Sequence, residues 1–295
     1  MRSDRNADCF SSNRKADDLV TPNAPAPGQS QRTVIGGSGE FDELLTSRMR
    51  GQSLSDRRID EVVTAELERF DTTIDQHAVW WNSQAWCDAD CWEDAIRERL
   101  RSLAALPPAE RHSMTGWRLI SRADVFGRSA VGPIDLFLAA MVWGFGDRGY
   151  GWRRTADILR SAGEEGVTRA VTSLQHAASS GPPAAWRSWS PGGAAKLRGV
   201  GTAFASKIAY FACFDRTACT GPLIADANTA WALWALTGVW DSRTDATVYD
   251  EYVKWSEARG RTLTRRPDEI ERALFSIGPR VREAWKRSSE RRPAE

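Results

Sequence analysis

Apolar residues recur along this chain at three-to-four spacing and almost nowhere at spacing two, and that periodicity decides what it can fold into. Ile59, Val62, Val63, Leu67 and Phe70 form one such series, and Ile96, Leu100, Leu103 and Leu106 form another before Pro107-Pro108. Residues three and four apart share one face of an α-helix, so each series marks a helix with one buried stripe. Further helices are predicted over 135–145, started by Gly132-Pro133, and over 152–162, 166–178, 202–214, 227–237, 245–259 and 267–275. No repeat at solenoid period is present. The predicted class is all-α.

Residues 1–40 are rich in Ser, Asn, Asp, Pro and Gly and bury too little apolar surface to offset their ordering entropy. They are predicted to be a disordered tail. The remainder divides into an N-terminal helical region over 41–115, a main domain over 116–285 and a charged C-terminal tail over 286–295. With 295 residues, 41% of them hydrophobic, the chain can bury a substantial core. Its fourteen tryptophans, among them Trp80, Trp81, Trp231 and Trp234, read mainly as core and helix-packing aromatics, a minority being available to stack on bases.

The formal net charge is only +1, from 40 Lys plus Arg against 39 Asp plus Glu. A protein that held nucleic acid by charge alone would be far more basic, so any DNA binding must come from a local site built on backbone amides and helix termini. Leu136 to Phe145 and Ala230 to Leu236, the longest apolar stretches, fall well short of the ~20 residues of a membrane span, and the N-terminus has no apolar signal core. Five cysteines, an odd count, point to a reducing compartment, and the expected location is the cytoplasm, near the nucleoid. Cys87-x3-Cys91 and Cys213-x5-Cys219, with His77 and His112 near the first pair, lack the tight CxxC spacing of structural zinc. The expectation is free thiols, no metal and no cofactor.

The segment Leu197-Arg198-Gly199-Val200-Gly201-Thr202 carries the most chemistry. Two glycines around one apolar residue permit a tight turn that plugs into the core through Val200 and leaves N–H groups pointing outward. Thr202 can then cap the following helix, whose open amides suit a phosphate oxygen, with Lys196 and Arg198 adding local positive charge. An ordinary glycine-rich turn is the competing reading.

On the helix that follows, Phe204, Ile208, Phe211 and Phe214 gather on one face, and Lys207 projects into the same stripe. A lysine against an aromatic wall is partly desolvated, which favours the neutral amine a Schiff-base nucleophile requires; the alternative is a buried stem with its ammonium in water. Asp226 follows the apolar Leu223-Ile224-Ala225 and begins another helix. It reads either as an N-cap or as a carboxylate facing a reacting sugar, and one residue can serve as both.

Together these residues resemble the helix-hairpin-helix DNA glycosylase superfamily, and most closely its bacterial 8-oxoguanine-glycosylase-like branch. The likeness runs over Leu197 to Phe211 and Leu223 to Asp226, supported by Trp143-Gly-Phe-Gly146, Gly149-Tyr150-Gly151 and Ala273-Leu274-Phe275-Ser276. It covers about residues 120 to 285. The resemblance implies an enzyme that flips a modified or oxidised base out of double-stranded DNA and excises it. Asp226 would be the essential carboxylate, and Lys207 the nucleophile at C1′ or a pocket residue. Trp143 and Phe275 would line the base pocket, and residues 196–202 would hold DNA. The lyase members carry their lysine directly after the hairpin threonine, where this chain has Ala203. A monomer acting on modified DNA, whether oxidised or of phage origin, is expected. The alternative is a non-catalytic helix-hairpin-helix DNA-binding protein.

Overall fold

The computed structural model describes residues 38–70, 73–105, 116–238 and 245–290. From Ser38 onward the chain forms a single unit around one buried cluster. In chain order its elements are α1 (Ser38–Met49), α2 (Asp56–Leu67), β1 (Ala78–Asn82), α3 (Ser83–Cys87), α4 (Asp94–Ala104), β2 (Trp117–Ser121), α5 (Arg122–Arg128) and α6 (Pro133–Phe145). They continue with α7 (Gly151–Ala178), α8 (Pro182–Trp189), α9 (Thr202–Cys213), α10 (Ala227–Thr237), α11 (Ala246–Leu263) and α12 (Pro267–Glu290). The fold is mostly helical, as the periodicity predicts. The predicted disordered tail lies outside the described residues except at its end, where α1 already begins at Ser38.

Helix α6 is the centre. Its residues from Ile134 to Trp143 are buried on every side, the signature of a helix enclosed by others. Helices α5, α7 and α9 surround it. Each large apolar side chain fully enclosed there stabilises the fold by roughly 1.5–3 kcal/mol. Helix α7 breaks direction at Gly163, whose φ of +69° only glycine adopts at little cost, and this kink separates the two helices predicted over 152–162 and 166–178.

Two features depart from the sequence reading. Among the described residues β1 and β2 are the only strands; they pair antiparallel, with Trp80 opposite Leu119, and join chain from either side of position 115. Ala78-Val79-Trp80-Trp81-Asn82 shows no alternation of apolar and polar residues, so nothing local announces it. Helix α12 runs well past the predicted end at 275, carrying Pro279 inside it, and the charged tail expected from 286 is helical as far as Glu290.

Helices α1 and α2 lie against α12. Their cross-links are polar as well as apolar: Arg287 donates to Asp42 at 2.9 Å, and the buried Glu66 carboxylate accepts from Ser276 and Arg280. Arg259 of α11 pairs with Asp60 at 2.8 Å and with Asp56. Among the described residues no helix is long and apolar enough to cross a membrane.

Candidate active site

The turn between α8 and α9 is built as its glycines dictate. Gly199 has φ +86°, and a Cβ there would stand 3.1 Å from Ile158 of α7, so glycine is needed both for conformation and for close approach. Leu197 and Val200 are buried, anchoring the turn, while Arg198, Gly199 and Gly201 are exposed. Two side chains brace the turn from behind: Lys196 Nζ donates to the Val200 carbonyl at 2.9 Å, and Arg154 of α7 donates to the Gly199 carbonyl at 3.2 Å.

Thr202 does not cap α9. Helical conformation starts at Thr202 itself, so Gly201 occupies the N-cap and contributes no side chain. The amides of Gly201, Thr202 and Ala203 therefore have no protein acceptor among the described residues. Exposed donors at the positive end of a helix dipole form a local anion site.

One turn into α9, Lys207 meets Asp226 in a buried ion pair. Lys207 Nζ donates to Asp226 Oδ2 at 3.1 Å, and the two side chains are only 8% and 12% exposed. The lysine stem lies against Gly144 of α6, where a Cβ would meet Lys207 Cδ at 3.1 Å and the Phe204 ring at 2.6 Å. Nζ sits 5.8 Å from the Phe204 ring centre and 3.4 Å from the Ala203 carbonyl. Side chains on a helix lean toward its N-terminus. The Lys207 amine is thereby returned to the turn that begins at Ala203.

Asp226 performs two jobs with separate oxygens. Oδ1 accepts from the amides of Asn228 and Thr229 at 2.9 and 3.1 Å, capping α10, and Thr229 Oγ1 completes the box by accepting from the Asp226 amide at 2.9 Å. Oδ2 faces Lys207. Burial pushes this carboxyl up, but the lysine charge and the amide hydrogen bonds outweigh it and hold Asp226 below the usual carboxylate range.

Three hydroxyls hold the segment leading to Asp226 in place of a sheet. Tyr249 Oη bridges the amide and carbonyl of Leu223 at 3.0 and 2.7 Å, Tyr252 Oη donates to the Ile224 carbonyl at 2.8 Å, and Ser206 Oγ accepts from the Ala225 amide at 3.0 Å. Ser206 and Lys207 are thus neighbours on α9 that grip Ala225 and Asp226, neighbours on the facing segment. Gly278 of α12 passes so close to α10 that a Cβ would stand 2.0 Å from the Asn228 carbonyl oxygen, seating the capped end from the other side. The sequence reading missed Ser206, Tyr249 and Tyr252; a serine within an apolar helical stripe was the one available signal.

Beneath the pair lies a second polar cluster. Arg122 Nη2 donates to Glu271 Oε2 at 2.7 Å, both side chains being 1% exposed. Arg122 Nε reaches His77 Nδ1 at 3.3 Å, and its guanidinium lies over the rings of Trp143 and Tyr210. Burial, with the nearby charges of Arg122 and Arg272, pushes the His77 imidazole down to about 2. The ring is neutral, and the Arg122 contact assigns its proton to Nε2. Trp143 is buried here, edge-on to His77 and Phe211 at 5.6 and 5.3 Å. Phe275 stands one turn after Glu271 on the same face of α12, half-buried.

A family model described as "Putative 8-oxoguanine DNA glycosylase OGG-like protein" matches residues 72–275, well over half of the chain. No curated protein and no solved structure matches it.

Proposed function

We propose, from the premise that the chain belongs to this OGG-like family of 8-oxoguanine DNA glycosylases, that it excises a modified base from double-stranded DNA with Asp226 and Lys207 as its reacting pair. The observation that carries the reading is the 3.1 Å contact between these two groups, largely buried, one helical turn from the open amides that begin α9. The turn from Lys196 to Thr202 would act as the hairpin that fixes a phosphate, its amides accepting the charge that a chain of net +1 does not attract globally. The target nucleotide would swing out of the stack, since its glycosidic bond is shielded inside the duplex.

Cleavage of that bond leaves positive charge on the sugar. An ionised Asp226, its Oδ1 tied to two amides, presents Oδ2 to the developing oxocarbenium without reorganising. In the lyase branch of this reading, Lys207 yields a proton to Oδ2 and its freed lone pair attacks C1′. The C1′–N bond to lysine forms as the glycosidic bond breaks, and its electron pair departs with the base. The return of Nζ to the Ala203 turn supports this role, because it sets the amine beside the residue that follows the hairpin threonine. Phe275 would offer its half-exposed ring to the extruded base, with Trp143 backing the site from within.

The test is a panel of duplexes, each carrying one oxidised or otherwise modified base, incubated with the full chain and scored for abasic sites. Abasic product from at least one duplex, abolished in Asp226→Asn, is the expected result. Tight DNA binding with no product from any duplex would favour the non-catalytic binder.

A further inference from the structure

The polar cluster beneath Lys207 and Asp226 contains two donors that the fold leaves unpaired. Arg122 donates from Nε to His77 and from Nη2 to Glu271, but its Nη1 is buried with no hydrogen-bond partner among the described residues. Trp143 Nε1 is buried without a partner in the same way. The Arg122 guanidinium carbon stands 5.2 Å from the centre of the Trp143 ring, so both N–H groups belong to one spot. The two residues are only 1% and 6% exposed. A buried donor has given up water, and without an acceptor in exchange it destabilises the fold. Two of them in contact call for acceptor atoms from outside the chain.

This spot adjoins Lys207 from two directions. On α6, Trp143 precedes Gly144, where an added Cβ would stand 3.1 Å from Lys207 Cδ. On α9, Tyr210 follows Lys207 by one turn, and the Arg122 guanidinium lies 5.1 Å from its ring centre. His77 accepts from Arg122 at Nδ1, which leaves its Nε2–H as a further donor. Glu271 meets Arg122 through Oε2, and its charge fixes the guanidinium in place.

Bases differ in whether two acceptors stand on neighbouring positions. Cytosine offers N3 and O2, and guanine offers N7 and O6, whereas adenine and thymine alternate acceptor with donor. Oxidation of guanine at C8 places a hydrogen on N7, so 8-oxoguanine has no two neighbouring acceptors on its Hoogsteen or Watson–Crick edge. On the glycosylase reading above, we infer that Arg122 Nη1 and Trp143 Nε1 together read the extruded base and select one with two neighbouring acceptors. That class comprises modified cytosines and guanines altered elsewhere than at N7 and O6. The 8-oxoguanine in the family's description is then a poorer fit to this chain than either of them.

The experiment measures single-turnover excision by the full chain on the duplex panel, with 8-oxoguanine beside cytosines and guanines altered at other positions. The base excised fastest is then remade with its ring acceptor replaced by C–H, as the 3-deaza form of a cytosine or the 7-deaza form of a guanine. The parent is expected to excise the deaza form roughly 10- to 100-fold more slowly. Trp143→Phe keeps a ring and removes the N–H, so it should melt close to the parent and narrow that gap. Arg122→Met combined with Glu271→Leu removes the other donor without stranding a buried carboxylate, and should narrow it as well. Fastest excision of 8-oxoguanine, or of any base outside the class, overturns the inference and leaves the glycosylase reading intact. Equal treatment of the two forms by the parent does the same. So does a gap that both variants keep, which would mean that the two N–H groups hold only a water molecule. Abasic product from no duplex overturns the glycosylase reading and this inference with it.

Discussion

Lys207 on α9 and Asp226 at the start of α10, 19 positions apart in sequence, meet at 3.1 Å because Ser206 and Ala225, the residues just before each, are themselves hydrogen-bonded. The contact is registered by backbone on one side and a helix on the other, so neither side chain needs to search for its partner. That preorganisation is what the proposed action on an extruded sugar would require.

Borohydride reduction reads the lysine directly. With a duplex bearing an excisable base, the full chain is expected to be trapped covalently, through reduction of the imine between Nζ and C1′. Lys207→Gln keeps a donor for Asp226 and should fold, yet give no trapped species. Trapping that survives in Lys207→Gln would transfer the nucleophile's role elsewhere.

Asp226 separates capping from chemistry by substitution. Asn retains an oxygen for the Asn228 and Thr229 amides, so Asp226→Asn is expected to melt close to the parent while single-turnover excision falls roughly 100- to 1000-fold. Asp226→Ala loses the cap as well, at about 0.5–2 kcal/mol. Because the folded carboxyl is held below its ordinary 3.8, the ionised form survives to lower pH than for a free aspartate. Any stability it contributes is present above that value and disappears as pH falls through the folded one. Full excision by Asp226→Asn would remove the carboxylate from the reaction.

At the turn before α9 the two kinds of proposed DNA contact should respond differently to salt. Arg198→Ala is expected to reduce the slope of log affinity against log salt by about one, as for a lost cationic phosphate contact. Gly199→Ala forces a side chain onto a φ of +86° and against Ile158, so affinity should drop with the slope unchanged. Equal slopes for Arg198→Ala and the parent would place that guanidinium away from DNA.

Acid sensitivity should report on His77. Its imidazole is pushed from 6.5 to about 2 in the fold, so the unfolded chain takes up a proton the folded chain refuses. The resulting stability is complete above pH 6.5 and declines as pH falls toward 2. Glu271, whose carboxyl burial pushes up, works in the opposite direction in parent and variant alike. Thermal melts between pH 6.5 and 4.5 should therefore fall more steeply for the parent than for His77→Gln. Parallel curves would show that the ring is already accessible to protons.

Some of this architecture is written locally. Helix α10 spans the predicted 227–237, α9 ends one residue from its predicted limit, and the angular position of Lys207 on an aromatic stripe is an arithmetic consequence of 100° per residue. The glycine turn is legible because φ +86° at Gly199 excludes most side chains. What escapes is whatever depends on a distant partner. Val79-Trp80-Trp81 becomes a strand only because residues 117–121 lie beside it. Tyr249 and Tyr252 have ordinary helical positions, and nothing near them in sequence says that their hydroxyls support residues 223 and 224. Arg122 and Glu271 are 149 positions apart, and a charged residue in isolation reads as surface. The structure moves the cap by a single residue, from Thr202 to Gly201, because cap and first turn differ only in where helical conformation starts.

The flanks of the family match hold each other. Residues 38–70 precede it and the last turns of α12 follow it, yet Glu66 is enclosed by Ser276 and Arg280, and the part-exposed Asp42 accepts from Arg287. Leu44, Leu45, Val62 and Val63 share one buried cluster with Ile277, Val281 and Ala284. Trimming either extension would strip the other of its cover and wet an oily surface running along α10 and α12, the kind of surface that makes fragments clump. A bench worker who wants a well-behaved recombinant piece should therefore cut outside 38 and 290, and treat the two ends as halves of one clasp.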